Sequence, residues 1–392
     1  MHRPHFLCCL FLITGLGFLT FVAHAGSFFE DLDFSIGGRI KLDAIYSDQS
    51  VSKGPLGRGD LAFSPGGIPV TGDTKDAFHF DLRQSRLWAT GHLPLYNRDL
   101  AAYAEVDFLD VDRNAKGQAE LTNRPRFRHA YATYAGFTIG KTYTAFLNVP
   151  AFPEINDLNG PVGILNVRQY LLRYTRTFDR GSFMLSLEEP DSRLTSITSK
   201  SISADDADWV PDIIARLDLT GDRGGNLSVA AMAREIRNNG RVSGPMIDSQ
   251  WGAAFSVAGR IYTTGEDNVR FSAAYGNVLG RYLSYNAFDD AIMESDGRID
   301  PIEMAGAYIA YQHWWNMQFR SSFVIGYAQA DNDLSGTPAN PDKRFYSTHL
   351  NLIWSPTLDS SVGAEWLHGY REFEDGSDGD LNRLQVTFIY KF

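Results

Sequence analysis

Eight basic residues and one acid stand out by type and spacing in the first half of the chain: Arg39, Lys41, Arg83, Arg86, Arg126, Arg128, Arg168 and Arg173, with Glu105 among them. Arg83 and Arg86 belong to Arg83-Gln84-Ser85-Arg86, Arg126 and Arg128 lie two apart in Arg126-Phe127-Arg128-His129, and Arg168 and Arg173 flank a later apolar-polar segment. A guanidinium is always charged and presents paired donors that match a carboxylate. A ladder of such groups along a polar passage favours anionic solutes, since rings of Arg or Lys are one way a pore prefers anions. The competing expectation is structural. The same cations would pair with Glu105, Asp107, Asp43 or Glu154 and stiffen a wall, and both hold when a basic wall faces an acidic loop.

Residues two apart share a face on a β-strand, and strands are what the surrounding pattern predicts. Sixteen segments alternate apolar with polar residues: 33–47, 77–92, 99–112, 125–135, 136–144, 166–178, 181–189, 211–220, 225–236, 249–262, 267–277, 302–314, 316–330, 345–355, 359–372 and 381–392. In the first, Phe34, Ile36, Ile40, Leu42, Ala44 and Tyr46 share one face while Arg39, Lys41 and Asp43 share the other. In the third, Leu100, Ala102, Ala104, Val106 and Phe108 oppose Tyr103, Glu105 and Asp107. A charge on a lipid-facing position costs about 2–4 kcal/mol at mid-bilayer, so the charged faces are expected to look into a water-filled lumen. Strict alternation turns Arg86 away from Arg83, and Arg168 away from Arg173, unless a bulge intervenes. Trp88, Trp251, Trp314, Trp315, Trp354, Trp366, Tyr170 and Tyr390 suit aromatic girdles at the membrane boundary.

The gaps alternate as well. Long ones (48–76, 145–165, 190–210, 278–301) take turns with short ones such as Gly136, Asp179-Arg180, Gly221 to Gly224 and Pro356 to Leu358. Long outer loops and tight periplasmic turns are the pattern of an outer-membrane barrel. A propeller would repeat every 40–50 residues or so, and no such repeat is present. The stretch 145–165 breaks the alternation with Pro150, Pro153, Gly160, Pro161 and Gly163, yet carries Phe146 and Phe152 beside Glu154, Asn156 and Asp157. So apolar a loop makes a poor solvent-exposed tip. It is expected to fold inward as a constriction, the alternative being a cover for a subunit interface. The acids Asp289, Asp290, Glu294, Asp296 and Asp300, and Glu372, Glu374, Asp375, Asp378 and Asp380, are read as solvated outer-loop charge.

The two ends agree. Arg3, the apolar run Phe6 to Val22 and Ala23-His24-Ala25 form a signal peptide over 1–25. Removing 25 of 392 residues leaves 367, and losing Arg3 takes the formal charge from −11 to −12. Both cysteines, Cys8 and Cys9, go with the leader, which excludes disulfides, thiol nucleophiles and thiolate metal sites from residues 26–392. At the other end Leu384, Val386, Phe388, Tyr390 and Phe392 share one face, and a final strand closing on Phe resembles the signal read by the barrel-assembly machinery. No hydrolase elbow, zinc-protease helix or phosphate-cradling loop is present. Asp110-Val111-Asp112-Arg113-Asn114 fails as a calcium loop because Ala115 stands where glycine is needed. No catalytic residue, metal, cofactor or nucleic-acid partner is expected. The fold expected is all-β: a transmembrane antiparallel β-barrel of about sixteen strands over 26–392, in the outer membrane of a Gram-negative bacterium, touching lipid and lipopolysaccharide.

The chain also resembles a known family, the DcaP-like porins. The likeness rests on Gly38-Arg39-Ile40-Lys41-Leu42-Asp43-Ala44-Ile45-Tyr46, on Arg83-Gln84-Ser85-Arg86, on Arg126-Phe127-Arg128-His129-Ala130-Tyr131, and on Val167-Arg168-Gln169 with Arg173-Tyr174. Leu187-Glu188-Glu189-Pro190 and Pro211-Asp212-Ile213-Ile214-Ala215-Arg216 add to it, while the second half agrees mainly in pattern. The resemblance implies a homotrimer of sixteen-stranded barrels that takes up small anionic solutes, notably dicarboxylates including aromatic ones. It makes Arg83, Arg126, Arg128, Arg168 and Arg173 pore-lining candidates. The helical N-terminal extension of some members has no counterpart between Gly26 and the first segment. A general or phosphate-type porin is the alternative within the class, and a barrel enzyme or an adhesive barrel lies outside it.

Overall fold

A strand whose every second residue is apolar can satisfy its backbone in lipid only by pairing on both edges, and a sheet achieves this for all its strands only by closing. The computed structural model shows that closure. It describes residues 31–50, 61–70, 75–113, 119–196, 202–205, 208–238, 248–294, 296–333 and 340–392; the signal peptide expected over 1–25 lies outside them. The barrel strands are β1 (Asp33–Ser47), β2 in two pieces (Ala77–Asp81 and Arg86–Leu95), β3 (Arg98–Asp107), β4 (Arg126–Tyr134), β5 (Phe137–Tyr143) and β6 (Arg168–Phe178). They continue as β7 (Gly181–Glu188), β8 (Asp212–Thr220), β9 (Asn226–Arg237), β10 (Ser249–Tyr262) and β11 (Asn268–Gly276). The last five are β12 (Glu303–Trp314), β13 (Phe319–Asp331), β14 (Asp342–Trp354), β15 (Ser360–Phe373) and β16 (Asp378–Lys391).

Each strand pairs antiparallel with the next, and β1 closes the ring on β16 with Arg39 opposite Lys391 and Ser47 opposite Arg383. Gly38 and Phe392 exchange both backbone hydrogen bonds at 3.0 Å, sealing the seam at its lower end. The sixteen alternating segments are therefore sixteen antiparallel barrel strands. The outer surface is apolar as the alternation requires: Ile36, Phe255 and Leu384 are 71%, 60% and 55% exposed. Two tryptophans depart from the girdle expectation. Trp88 stands opposite Glu105 and Gly37, and Trp314 lies under the Arg320 guanidinium, so both face the lumen.

Short turns gather at one end, with the connections after β1, β3, β5, β7, β9, β11, β13 and β15 at the other. Of these, the acidic stretch near 372–380 is no long loop, because the β15–β16 ladder continues to Glu372 opposite Asp378 and leaves only residues 374–377 to turn. Ser192–Ser196, Ile202–Asp205, Ala291–Met293 and Ile299–Pro301 form a separate four-stranded sheet that joins the connections after β7 and β11.

The lumen holds a hydrophobic cluster that includes Phe63, Ile68, Phe146, Leu165, Val278, Leu283 and Phe345. The wall behind it is built from small inward-facing residues, among them Ala230, Ala254, Ala274, Ala310 and Ala328, all buried. These make room for segment 144–167, which follows the inner wall. Asn148 Nδ2 donates to Ser228 Oγ (2.9 Å), Tyr308 donates to Ala151 O (3.0 Å), Asn351 Nδ2 to Glu154 O (2.8 Å) and Lys41 Nζ to Asn156 O (2.8 Å). The segment thereby touches β9, β12, β14 and β1 in turn. Gly163 has φ +83°, and a Cβ there would meet the carbonyl oxygens of Ala307 and Tyr327. A Cβ on Gly326 would likewise meet Val162 O. Chain and wall are in backbone contact.

Candidate functional site

The arginines converge because the ladder breaks twice. Between the two pieces of β2, residues 82–85 leave the pairing and shift its phase. Phe80 and Leu82 face out with Asp81 buried, yet beyond the break Leu87 faces out and Arg86 turns in to Glu105. The second break lies between β3 and β4. Glu105 stands opposite His129 but Val106 opposite Phe127, so Arg128 is the extra residue of a bulge. A bulge re-aims a side chain at the cost of one ladder bond. Here Arg126, Arg128 and His129 all reach the inner side of the wall.

Arg128, 3% exposed, bridges two acids, with Nε 2.7 Å from Glu105 Oε1 and Nη1 2.8 Å from Asp107 Oδ2. Arg126 holds Asp107 at 2.7 Å, Arg86 reaches Glu105 at 3.2 Å, and Arg83 turns back to Asp81 at 3.0 Å. Lys41 is buried against Asp43 (3.2 Å), Gln84 Oε1 (2.5 Å) and the carbonyl of Asn156. Arg39, Arg168 and Arg173 make no ion pair with a carboxylate among the described residues. Arg39 lies opposite Arg86 in the β1–β2 ladder. Arg168 rests over the Tyr143 ring, 5.3 Å from its centroid, with Nη1 3.3 Å from the hydroxyl, and Arg173 Nη1 donates to Tyr143 O at 3.4 Å. Glu154 is not a partner of these arginines; it pairs across the lumen with Arg320 at 2.5 Å.

Arg86, Arg128 and Arg168 meet at a cavity of about 240 Å³. Its opposite side is the inward segment, through Phe152, Pro153, Ile155 and residues 157–160, and Tyr143 and Tyr285 complete it. Arg126 lines a neighbouring cavity with Lys141 and Arg281 instead. Arg39, Lys41, Arg83, Glu105 and Arg173 border neither. The aromatic groups and Arg281 escaped the sequence reading. Tyr143 precedes the break in alternation and had a local signal, but Tyr285 sits in a long connection whose place depends on distant pairings. Burial drives the phenols of Tyr282 and Tyr285 well above their ordinary value, so both stay neutral.

The far side of the lumen is zipped by ion pairs. Arg234 is fully buried between Asp212 (3.1 Å) and Asp290 (2.9 Å), and Tyr282 donates to Asp212 at 2.6 Å. Arg193 pairs with Asp289 at 3.2 Å, and Arg344 with Glu372 at 2.5 Å. Asp289, Asp290 and Glu372 are thus not solvated loop charge: Asp290 ties the connection after β11 to Arg234 on β9, Asp289 joins it to Arg193 in the connection after β7, and Glu372 pairs between neighbouring strands with Arg344. Among the described residues no group of three or more His, Cys, Asp or Glu is placed to hold a metal ion.

A profile of the DcaP outer membrane protein family matches residues 33–392. Among solved structures, the outer membrane channel DcaP of Acinetobacter baumannii superposes with a TM-score of 0.78 at 21% identity, over 93% of this chain and 98% of that one. OmpT of Vibrio cholerae in its trimer form gives 0.57 at 10% identity, over 92% and 99%. The anion-selective porin from Comamonas acidovorans gives 0.55 at 9%, over 92% and 100%. No curated protein matches the chain. The structural likenesses speak for the fold, and the profile, spanning β1 to β16, speaks for descent: the chain belongs to the DcaP outer membrane protein family, and its sixteen-stranded barrel is a porin-type barrel of the Gram-negative outer membrane.

Proposed function

We propose that the protein lets small anionic solutes, dicarboxylates among them, diffuse across the outer membrane, and that segment 144–167 is its constriction. The observation that carries this reading is the cavity between that segment and the wall, where Arg86, Arg128 and Arg168 converge. Glu105 and Asp107 are shared among Arg86, Arg126 and Arg128, the Asp157 carboxylate at the cavity pairs with Arg383, and Arg168 has no carboxylate partner among the described residues. The excess of fixed positive charge raises the local anion concentration, and separated guanidiniums suit a solute with two carboxylates. The lumenal positions of Arg39, Arg83 and Arg173 extend the same field, with Lys41 and Glu105 setting its background. A homotrimer fits the uneven wall, since β4 and β5 span nine and seven residues against fourteen in β10, β15 and β16. The barrel-assembly machinery would engage β16 through Phe392.

The test is the current through single refolded barrels in a planar bilayer under a salt gradient, with succinate titrated in. A reversal potential of anion sign and block by succinate support the reading. Block by phosphate but not succinate would favour the phosphate-type porin, and a cation-sign potential would remove the arginine argument.

A further inference from the structure

Lys141 is a cation on the lipid side of the wall. It follows Ile139 by two residues on β5 and so shares its outward face. It stands opposite Tyr170, with Nζ 5.6 Å from the centroid of that ring. Below it the outward face is apolar down to the short turns, through exposed Ile139 and Leu172 to the rings of Phe137 and Tyr174, 4.9 Å apart. A lysine on this face is costly in the middle of the hydrocarbon and nearly free at the boundary. Lys141 lies two residues from the end of β5 that carries the long connections, the outer end.

Just above Lys141 the wall stops. β5 ends at Tyr143 and β6 begins at Arg168, because the chain between them has turned into the lumen. The rim is therefore low here, and a cavity of about 240 Å³ fills the notch. Phe127 and Lys141 border it from the outward face, Arg126 and Arg168 from the rim, and Arg281 and Asn286 from the connection after β11. Counter-charge covers only part of this basic set. Arg126 is held by Asp107 at 2.7 Å, and Arg281 has Asp191 at 3.7 Å. Lys141 and Arg168 pair with no carboxylate among the described residues, and Glu189 is the acid whose charge reaches Lys141. The result is a partly neutralised cluster of cations directly above a lipid-facing apolar strip.

We infer that this notch binds a phosphate on the head of an outer-leaflet glycolipid, with Lys141 reaching it from the lipid side and the acyl chains lying along Ile139, Leu172 and the rings below. A phosphate offers several charged oxygens to cations that approach from different sides. A free anion would gain nothing from the apolar strip, whereas an amphipathic phosphorylated lipid is held by both halves of the site. The inference stands whether or not the lumen prefers anions, because it concerns the outside of the wall.

The experiment uses the full barrel folded in detergent, with binding read by native mass spectrometry. The probes are lipid A, the same lipid stripped of its phosphates, and inorganic phosphate. Lipid A should bind the wild type, and the stripped lipid several-fold more weakly. Lys141→Gln should weaken lipid A binding several-fold, while Lys141→Arg, which keeps the charge, should retain it; both variants are first checked to be folded by their resistance to unfolding in cold detergent. Equal binding of the two lipids, or unchanged lipid A binding in Lys141→Gln, would overturn the phosphate site. Binding of inorganic phosphate without lipid A would overturn the lipid as occupant. Wild-type trimers that bind no lipid A would do the same, and would leave the short wall closed by a second copy.

Discussion

Glu154 on the inward segment accepts both prongs of the Arg320 guanidinium from β13, Nε to Oε2 at 2.6 Å and Nη2 to Oε1 at 2.5 Å. Gln312 adds a third bond to the same carboxylate at 2.6 Å. Segment 144–167 is therefore anchored at mid-length to the wall opposite the arginines, which keeps the space beside Arg168 open. Glu154→Gln should cost about 1–2 kcal/mol, the lower part of the range for hydrogen bonds to charged groups because Glu154 is partly exposed. Thermal unfolding of the barrel in detergent reads the cost, and recordings should show flickering closures absent from the wild type. Quiet channels from Glu154→Gln would mean the other anchors suffice.

Arg128 and Arg168 line one cavity but differ in their partners, so neutralising each should have different consequences. Arg128→Gln takes one of two arginine partners from each of Glu105 and Asp107, which keep Arg86 and Arg126, and should cost about 1.5–3 kcal/mol, the range for hydrogen bonds to charged groups. Arg168→Gln removes a cation with no carboxylate attached and should leave stability nearly unchanged. Both should move the reversal potential toward the cation side. Equal loss of stability in the two variants would contradict the ion-pair assignment.

Gly326→Ala tests the packing of the inward segment without touching a charge. A methyl there meets Val162 O, and overpacking of this kind costs about 1–3 kcal/mol. The segment should be displaced toward the arginine wall, lowering conductance while the sign of the reversal potential is kept. Gly221→Ala, in the turn after β8 with only ordinary contacts around it, is the control for a glycine change as such.

Asp208, in the connection after β7, carries a carboxyl that burial raises to about 6, while hydrogen bonding from Ser192 and the charge of Arg234 pull the other way. Its value in the unfolded chain is about 4. The folded form therefore holds the proton more tightly. That contribution is complete below about pH 4 and is lost as the pH rises from about 4 through about 6. The small sheet at the outer end should accordingly resist protease better at pH 5 than at pH 7.5. Asp208→Asn should abolish the difference, and a pH effect that survives in this variant points to Asp289, whose carboxyl is also raised by burial.

Almost all of the barrel could be read from the sequence because its rule is local: lipid on one face and lumen on the other print a period of two on every strand. What escaped was non-local. The phase shift at 82–85 and the bulge at Arg128 decide where Arg86, Arg128 and His129 point, and nothing within either strand announces them. Trp88 and Trp314 look like girdle residues until the register places them opposite Glu105 and under Arg320. The counter-ions of the far wall, such as Arg234 for Asp290, are 56 residues apart in the chain. One signal was available and unread. The runs of alanine and glycine on inward positions of β9 to β13 are too small to fill a lumen alone, so something had to pack against them.

Because segment 144–167 is fastened at successive points around the inner circumference, from Asn148 on β9 to Asn156 beside β1, it has no single hinge. It behaves as a hoop sewn to its casing rather than a flap. On the proposed reading of the segment as the constriction, an incoming solute would have no gate to push aside, and its barrier would be set by static shape and charge. The width of the eyelet would then follow the roundness of the barrel itself, making lateral squeezing by the surrounding membrane and the throughput of the pore one mechanical variable.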